Sequence, residues 1–187
     1  MPATEQPVMD LAQLKKALEA AGSESELFAA IVEEPLAHKV GAAHLFLGFI
    51  VLYLVPKGKR IVKLISVSDT EYYEMAIKGY NKFSASDFEL SLTKDTNNSI
   101  VKTILTGEVQ NTADWRTLRR SWADPVTTNL NQANSGISSS VIYPLDVPRG
   151  GALMFCFYNY QQSINSDQHK FMKEYSQLVS ELLSKTS

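Results

Sequence analysis

Residues 138–183 decide the fold: SSSVIYPLDVPRGGALMFCFYNYQQSINSDQHKFMKEYSQLVSELL. The first part is rich in β-branched and aromatic residues, which favour a half-buried strand. Turn residues at 148–151 follow, so the next apolar run is predicted to return as an antiparallel strand. Asn165 and Gln168 have the spacing of a capping box, and the apolar residues after them recur at helical spacing. The order is therefore strand, turn, strand, long helix.

Composition indicates a soluble globular protein. The chain has 187 residues, 44% hydrophobic and 20% charged, with a formal net charge of −2. One domain of this length can bury a proper core, and we expect residues 1–22 to form a tail and helix before a domain at 23–187. The net charge gives no reason to expect binding to nucleic acid or to a membrane. The single cysteine, Cys156, excludes an internal disulfide and, with no signal peptide evident, predicts a cytoplasmic location.

An apolar run at residues 40–55, broken by His44, has two readings. At 16 residues it is shorter than the roughly 20 that a membrane-spanning helix needs. From Leu45 it is rich in β-branched and aromatic residues, and Pro56 and Gly58 follow it. The favoured interpretation is a strand buried on both faces, and a membrane-associated segment is the alternative.

Further elements are predicted along the chain. Asp10 caps a first helix and Ser23 a second, which Pro35 breaks or restarts and Gly41 ends. A hairpin turn at 56–59 joins the apolar strand to another around residues 61–67, and residues 72–80 are predicted to be a short helix. A third strand surrounds Leu90. A helix capped by Asp95 or Thr96 follows and ends at Gly107, ahead of a short extended piece at 108–110. Residues 112–137 are hard to assign, and a long irregular segment is often functional.

The closing strand pair and helix, together with the helix that ends in Thr106-Gly107, resemble the GAF domain family of small sensory modules. The resemblance covers roughly residues 23–183. It implies an α+β fold with a central antiparallel β-sheet, and with the N- and C-terminal helices on one face, often in a dimer. A helix and loops between the third and fourth strands would cover the other face and enclose a ligand pocket.

The best candidate site lies where the family places that pocket cover. Trp115 and Trp122 flank three arginines, Arg116, Arg119 and Arg120. Guanidinium groups can hold a carboxylate or phosphate in a forked geometry, and an indole provides an apolar wall. A solvated basic turn anchored by its tryptophans is the alternative.

A second set of aromatic residues is a weaker candidate for the pocket lining. It comprises Tyr73, Tyr143, Phe155 and Phe157. The alternative for this set is plain core packing.

Reactive chemistry has few candidates. Cys156 lies between two phenylalanines, where a thiol usually behaves as a small buried hydrophobe. The three histidines lack partners at metal-ligand spacing. Free-methionine-sulfoxide reductases of the resembled family and its bilin-binding photoreceptors use cysteines in the pocket loops, and residues 93–138 here contain none.

The resemblance therefore implies a non-catalytic sensory or regulatory domain that binds an unidentified small ligand, forms a homodimer and signals to a downstream partner. One alternative is a pure dimerisation module that uses leucines of the first and last helices, Leu11, Leu14, Leu18, Leu178 and Leu182. Another is a methionine sulfoxide reductase that depends on Cys156.

Overall fold

The computed structural model describes residues 9–78, 88–118, 124–158 and 163–186. Its strands are β1 (Leu47–Leu54), β2 (Ile61–Val67), β3 (Glu89–Ser91), β4 (Gln110–Thr112), β5 (Ser139–Leu145) and β6 (Gly151–Phe157). Its helices are α1 (Leu11–Glu19), α2 (Glu24–Ala37), α3 (Lys39–His44), α4 (Glu71–Ile77), α5 (Ser99–Thr106), α6 (Pro125–Ser135) and α7 (Ser166–Thr186). A 3-10 turn, Trp115–Thr117, precedes α6.

The six strands form one sheet in the order β3-β2-β1-β6-β5-β4, and every neighbouring pair is antiparallel. The central strands β1 and β6 are buried almost throughout, because helices cover both faces of the sheet. The buried-strand interpretation of the apolar run is thus confirmed from Leu47 onward. The antiparallel return of β6 on β5 is confirmed as well.

The beginning of that apolar run is a helix, which corrects the prediction of a strand. Residues Lys39–His44 form α3, where Val40 is 65% exposed. Phe46 then adopts a φ of 55°, in the left-handed region that non-glycine residues rarely occupy, and turns the chain into β1. Tyr158, at the end of β6, donates its backbone N–H to the Phe46 carbonyl at 3.0 Å and fixes this corner.

Helices α1, α2 and α7 cover one face of the sheet, the helix face. Their predicted starts are confirmed: the Asp10 carboxylate caps α1, and the Ser23 hydroxyl caps α2. At α7, Asn165 and Gln168 each accept the other's backbone N–H at 2.9 Å, which is the predicted capping box. The Tyr175 hydroxyl of α7 donates to the Ile31 carbonyl of α2 at 2.7 Å and joins the two helices.

The leucines proposed for a dimer interface lie inside the protomer. Leu14 and Leu18 of α1 are at most 1% exposed, and Leu182 of α7 is 7% exposed. All three belong to the core beneath the helix face, and Leu11 and Leu178 pack against it. The interface prediction is therefore wrong for Leu14, Leu18 and Leu182, because these side chains bury the terminal helices against their own chain; for the partly buried Leu11 and Leu178 it stays a prediction.

Helices α4, α5 and α6 and the 3-10 turn cover the other face, the cover face. Gly107 and Gly136 end α5 and α6 with φ values of 69° and 70°, a conformation that favours glycine. Asn98, rather than Asp95 or Thr96, caps α5 through its side-chain oxygen. Helix α6 lies in the segment that was hard to assign. Its polar composition hides the helical period, although Asp124 caps it and Pro125 opens it.

Candidate functional site

Trp115 links the cover to the sheet. Its indole Nε1–H donates to the Ser140 hydroxyl of β5 at 2.9 Å. Its ring meets that of Phe49 on β1 edge-on, with centroids 6.2 Å apart. The Tyr73 ring of α4 contacts the same Phe49 ring at 5.7 Å. The structure therefore brings together two of the predicted site residues, Trp115 and Tyr73, around one phenylalanine of the central strand.

A chain of polar groups continues from Trp115 into the sheet. The Ser140 hydroxyl lies 3.3 Å from the Cys156 sulfur, and both residues are fully buried. Burial raises the pKa of the Cys156 thiol to about 12, and the hydrogen bond with Ser140 lowers that value only in part. The thiol is therefore protonated at neutral pH. Tyr53 of β1 belongs to the same cluster, and burial followed by the proximity of Cys156 raises its pKa.

Gln132 of α6 holds the 3-10 turn in place. Its side-chain oxygen accepts the Trp115 backbone N–H at 3.0 Å, and its amide nitrogen donates to the Ala113 carbonyl at 2.9 Å. The Asp114 carboxylate caps the turn through the Arg116 backbone N–H. A movement of α6 would therefore be transmitted directly to Trp115.

Arg116 does not reach into this cluster. Its guanidinium pairs with the Asp114 carboxylate, with an Nη2–Oδ2 distance of 2.6 Å, and its side chain is 54% exposed. The hydrogen bond from Arg116 lowers the pKa of Asp114. The arginine thus already has a carboxylate partner at the protein surface. Arg119, Arg120 and Trp122 lie outside the described residues.

Tyr143 and Phe155 lie on the opposite face of the sheet from Trp115, which corrects the predicted grouping. Their rings meet edge-on at 6.2 Å, and Phe155 contacts Phe171 of α7. Phe157 lies in the same core cluster. Successive residues of a strand point to opposite faces, so Phe155 and Cys156 cannot share one. These aromatic residues support the helix face.

Sequence reasoning missed the polar inner side of α6. Thr128, Asn131 and Ser135 face inward at spacings of three and four residues, and each is less than 5% exposed. The Asn131 side-chain nitrogen has no hydrogen-bond partner among the described residues, and neither does the Thr103 hydroxyl of α5. The helical spacing of Thr128, Asn131 and Ser135 was the signal that could have predicted α6. The apolar residues of the helix gave no such signal, because Val126 and Leu130 are exposed to solvent.

Within the residues that the structure describes, no cluster of His, Cys, Asp and Glu could hold a metal ion. No helix of this part of the chain is long and apolar enough to cross a membrane. Two open grooves lined by described residues both lie at the helix face. One runs between α7 and β5, and the other lies beside Gly22 where α1 meets α2.

Solved structures match the whole arrangement of sheet, terminal helices and cover. The phycocyanobilin-bound GAF domain from a cyanobacterial phytochrome has a TM-score of 0.60 at 14% identity, over 96% of this chain and 97% of that one. The chain has the GAF fold. The GAF domain of an Acinetobacter phosphoenolpyruvate-protein phosphotransferase gives a TM-score of 0.58 at 12% identity, over 94% and 90% of the two chains.

An enzyme shares this GAF fold as well. Free methionine-R-sulfoxide reductase from Neisseria meningitidis, solved with its substrate, has a TM-score of 0.56 at 10% identity, over 94% of this chain and 87% of that one. No family model and no curated protein matches the sequence. At these identities the likeness establishes the fold, and function has to be argued from this chain's own residues.

Proposed function

We propose that this protein is a non-catalytic sensory or regulatory domain of GAF type that binds a small ligand beneath α6. The observation that carries the proposal is Asn131, which is 2% exposed and whose amide nitrogen lacks a partner among the described residues. An unpaired buried donor costs about 1–3 kcal/mol, and a ligand that accepts this hydrogen bond would recover that energy.

The side chains proposed to contact the ligand on the cover face are neutral. They include both hydrogen-bond donors and aromatic rings. Tyr73, Trp115, Ser140 and Asn131 suit an uncharged or aromatic ligand with a hydrogen-bonding edge. The similar GAF domain with phycocyanobilin bound supports a ligand site in a domain of this fold. Ligand binding would order α6, and Gln132 would pass the change to the 3-10 turn.

A domain for protein interaction alone is the second candidate. The rings of Phe49, Tyr73 and Trp115 already contact one another, which supports a filled cover face that needs no ligand. Dimerisation would then require a surface other than the buried leucines of α1 and α7. Both candidate functions, the ligand-binding domain and the interaction domain, include a homodimer, a downstream signalling partner and a cytoplasmic location.

Catalysis by a thiolate has less support. A catalytic cysteine needs an accessible, electropositive setting, whereas Cys156 is buried and its pKa is raised. We therefore propose no reductase activity. An assay with free methionine sulfoxide and a thiol reductant tests this directly, and turnover that disappears in Cys156→Ala would contradict it.

Native mass spectrometry of the gently purified full chain tests ligand binding. We expect a non-covalent adduct that the Asn131→Leu variant loses, because leucine keeps the branched shape of the side chain but removes the amide. Asn129→Leu is the matched control, since Asn129 lies on the exposed side of the same helix. An adduct that both variants retain, or an unmodified mass in every preparation, would favour the interaction module.

Hydrogen exchange locates the response. Adding the identified ligand should slow exchange in residues 124–137 and around Trp115, and should leave α1 unchanged. Protection limited to the helix face would place the ligand elsewhere and contradict the proposal.

A further inference from the structure

One end of the sheet gathers turns that are distant in sequence. The β1–β2 hairpin and the β5–β6 turn meet there, because the Val55 backbone N–H donates to the Gly150 carbonyl at 3.1 Å. The segment after β3 joins them, since the Leu92 backbone N–H donates to the Arg60 carbonyl at 3.0 Å. Helix α5 packs closely against the β5–β6 turn, because a Cβ added to Gly150 would lie only 2.9 Å from the Ile104 side chain.

This end of the molecule is basic. It holds six of the chain's 18 lysines and arginines, all of them exposed: Lys57, Lys59, Arg60, Lys94, Lys102 and Arg149. None of the ion pairs found among the described residues involves any of the six. The acidic residues in the same turns are Asp95, Glu108 and Asp146, and the Asp95 carboxylate accepts the Ser91 backbone N–H. Positive charge is therefore in excess.

Two exposed apolar side chains lie at the same end of the sheet. Leu105, on the outer side of α5 with Lys102, is 53% exposed, and Val109, just before β4, is 43% exposed. Leu105 follows Ile104, whose side chain contacts the β5–β6 turn. We call these two residues and the six cations the basic end.

Several acidic residues lie at the opposite end of the sheet. Asp69 and Glu71 follow β2 there, and the Asp69 backbone N–H donates to the Glu33 carboxylate at 2.7 Å. Asp167, at the start of α7, lies 3.5 Å from His44. The formal net charge of −2 therefore conceals a local surface that attracts anions.

We propose that the basic end binds the surface of a membrane that contains anionic lipids. Clusters of four to eight basic residues bind such surfaces, and each contributes about a fivefold gain in affinity. Exposed Leu105 and Val109 can enter the boundary between headgroups and acyl chains while the cations stay at the phosphates. A nucleic acid fits less well, since the eight residues include no aromatic ring on which a base could stack.

This surface is separate from the cover-face cluster, so the proposal does not rest on ligand binding. The strands would stand upright on the membrane with their opposite end in water. The binding is peripheral, through turns and one helix surface.

Vesicle sedimentation with the full chain tests the proposal. We expect binding to vesicles of phosphatidylcholine mixed with phosphatidylglycerol, none to phosphatidylcholine alone, and release as ionic strength rises. The double variant Lys57→Gln/Lys59→Gln should bind about 25-fold more weakly, from about fivefold per charge. The control Lys16→Gln/Lys170→Gln removes two exposed charges from helices α1 and α7 and should bind like the unmodified protein.

A second pair of variants tests the apolar contribution. Leu105→Ser should weaken vesicle binding severalfold, whereas Leu130→Ser, at an equally exposed leucine of α6, should not. Circular dichroism confirms that each variant is folded. Failure to bind anionic vesicles, equal losses in the control variants, or binding to RNA in place of vesicles would each overturn the proposal.

Discussion

The buried Ser140 hydroxyl forms hydrogen bonds with both the Trp115 indole and the Cys156 thiol. It accepts from Trp115 at 2.9 Å and lies 3.3 Å from the Cys156 sulfur. Buried polar groups of this kind specify one arrangement of their neighbours when all are paired. At residue scale, Ser140 therefore determines where the 3-10 turn sits on the sheet.

A double-mutant cycle measures this contact. Trp115→Phe removes the N–H donor and Ser140→Ala removes the acceptor, so we expect a coupling energy of about 0.5–1.5 kcal/mol between them. Urea denaturation followed by circular dichroism gives the free energies of unfolding. Strictly additive losses would mean that the indole is held by its ring contacts alone.

Cys156 should make stability depend on alkaline pH. Burial raises the thiol pKa from 9.0 to about 12 in the folded protein, whereas the unfolded thiol ionises near 9.0. Its stabilising contribution is therefore complete below pH 9.0 and is lost as the pH rises toward about 12. The free energy of unfolding of the unmodified protein should fall between pH 8 and pH 10, by more than that of Cys156→Ala.

The same burial predicts slow labelling of the cysteine. An aromatic disulfide reagent should react with the native protein only at the rate of unfolding, and quickly in denaturant. Rapid labelling without denaturant would show that the thiol is accessible and would reopen a redox role.

At the scale of elements, Ser68 connects two strands and a helix. Its buried hydroxyl accepts the Ile50 backbone N–H of β1 at 2.8 Å and donates to the Val32 carbonyl of α2 at 2.8 Å. Its own backbone N–H donates to the Ile50 carbonyl just after β2 ends. One side chain thus sets how α2 lies across the sheet.

Ser68→Ala leaves two buried backbone groups without this partner. We expect a loss of about 1–3 kcal/mol in the free energy of unfolding, measured by urea titration. Ser66→Ala is the control, because Ser66 lies on β2 and is only partly buried. Equal effects of the two substitutions would contradict a specific role for the Ser68 hydroxyl.

At the scale of the whole molecule, the sheet separates two cores. The helix face has a large apolar core, which includes Phe155 and Leu182, together with buried polar side chains such as Ser176 and Ser180. The cover face mixes apolar residues with Ser140 and Cys156 and lies beneath the polar side of α6. The sheet therefore divides the described interior into two packed regions, one on each face.

Leu182→Glu tests which role α7 has. Because Leu182 is 7% exposed in a single chain, a carboxylate there should lower the free energy of unfolding by at least about 3 kcal/mol. Leu130→Glu, at an exposed position, should change it by less than about 0.5 kcal/mol. Thermal unfolding distinguishes the outcomes, and a Leu182→Glu variant that stays equally stable but changes mass in light scattering would restore the dimer interface.

The sequence by itself determined the elements with strong local signals. The strand-turn-strand-helix order of residues 138–183, the caps at Asp10, Ser23 and Asn165, and the stop at Gly107 all follow from short-range chemistry. Helix α6 was missed because the side chains that it buries are polar. Its apolar residues therefore do not recur at helical spacing along one face.

Only the tertiary structure decided which side chains share a face or a surface, because that depends on which residues distant in sequence come into contact. Successive side chains of a strand point to opposite faces of the sheet. Phe155 therefore lies under α7 and Cys156 under the cover, although the two are neighbours in sequence. Packing turned the leucines of α1 and α7 into core, and it gave Arg116 a carboxylate partner at the surface. Strand pairing also brought separate basic turns to one end, a concentration of charge that a net charge of −2 cannot show.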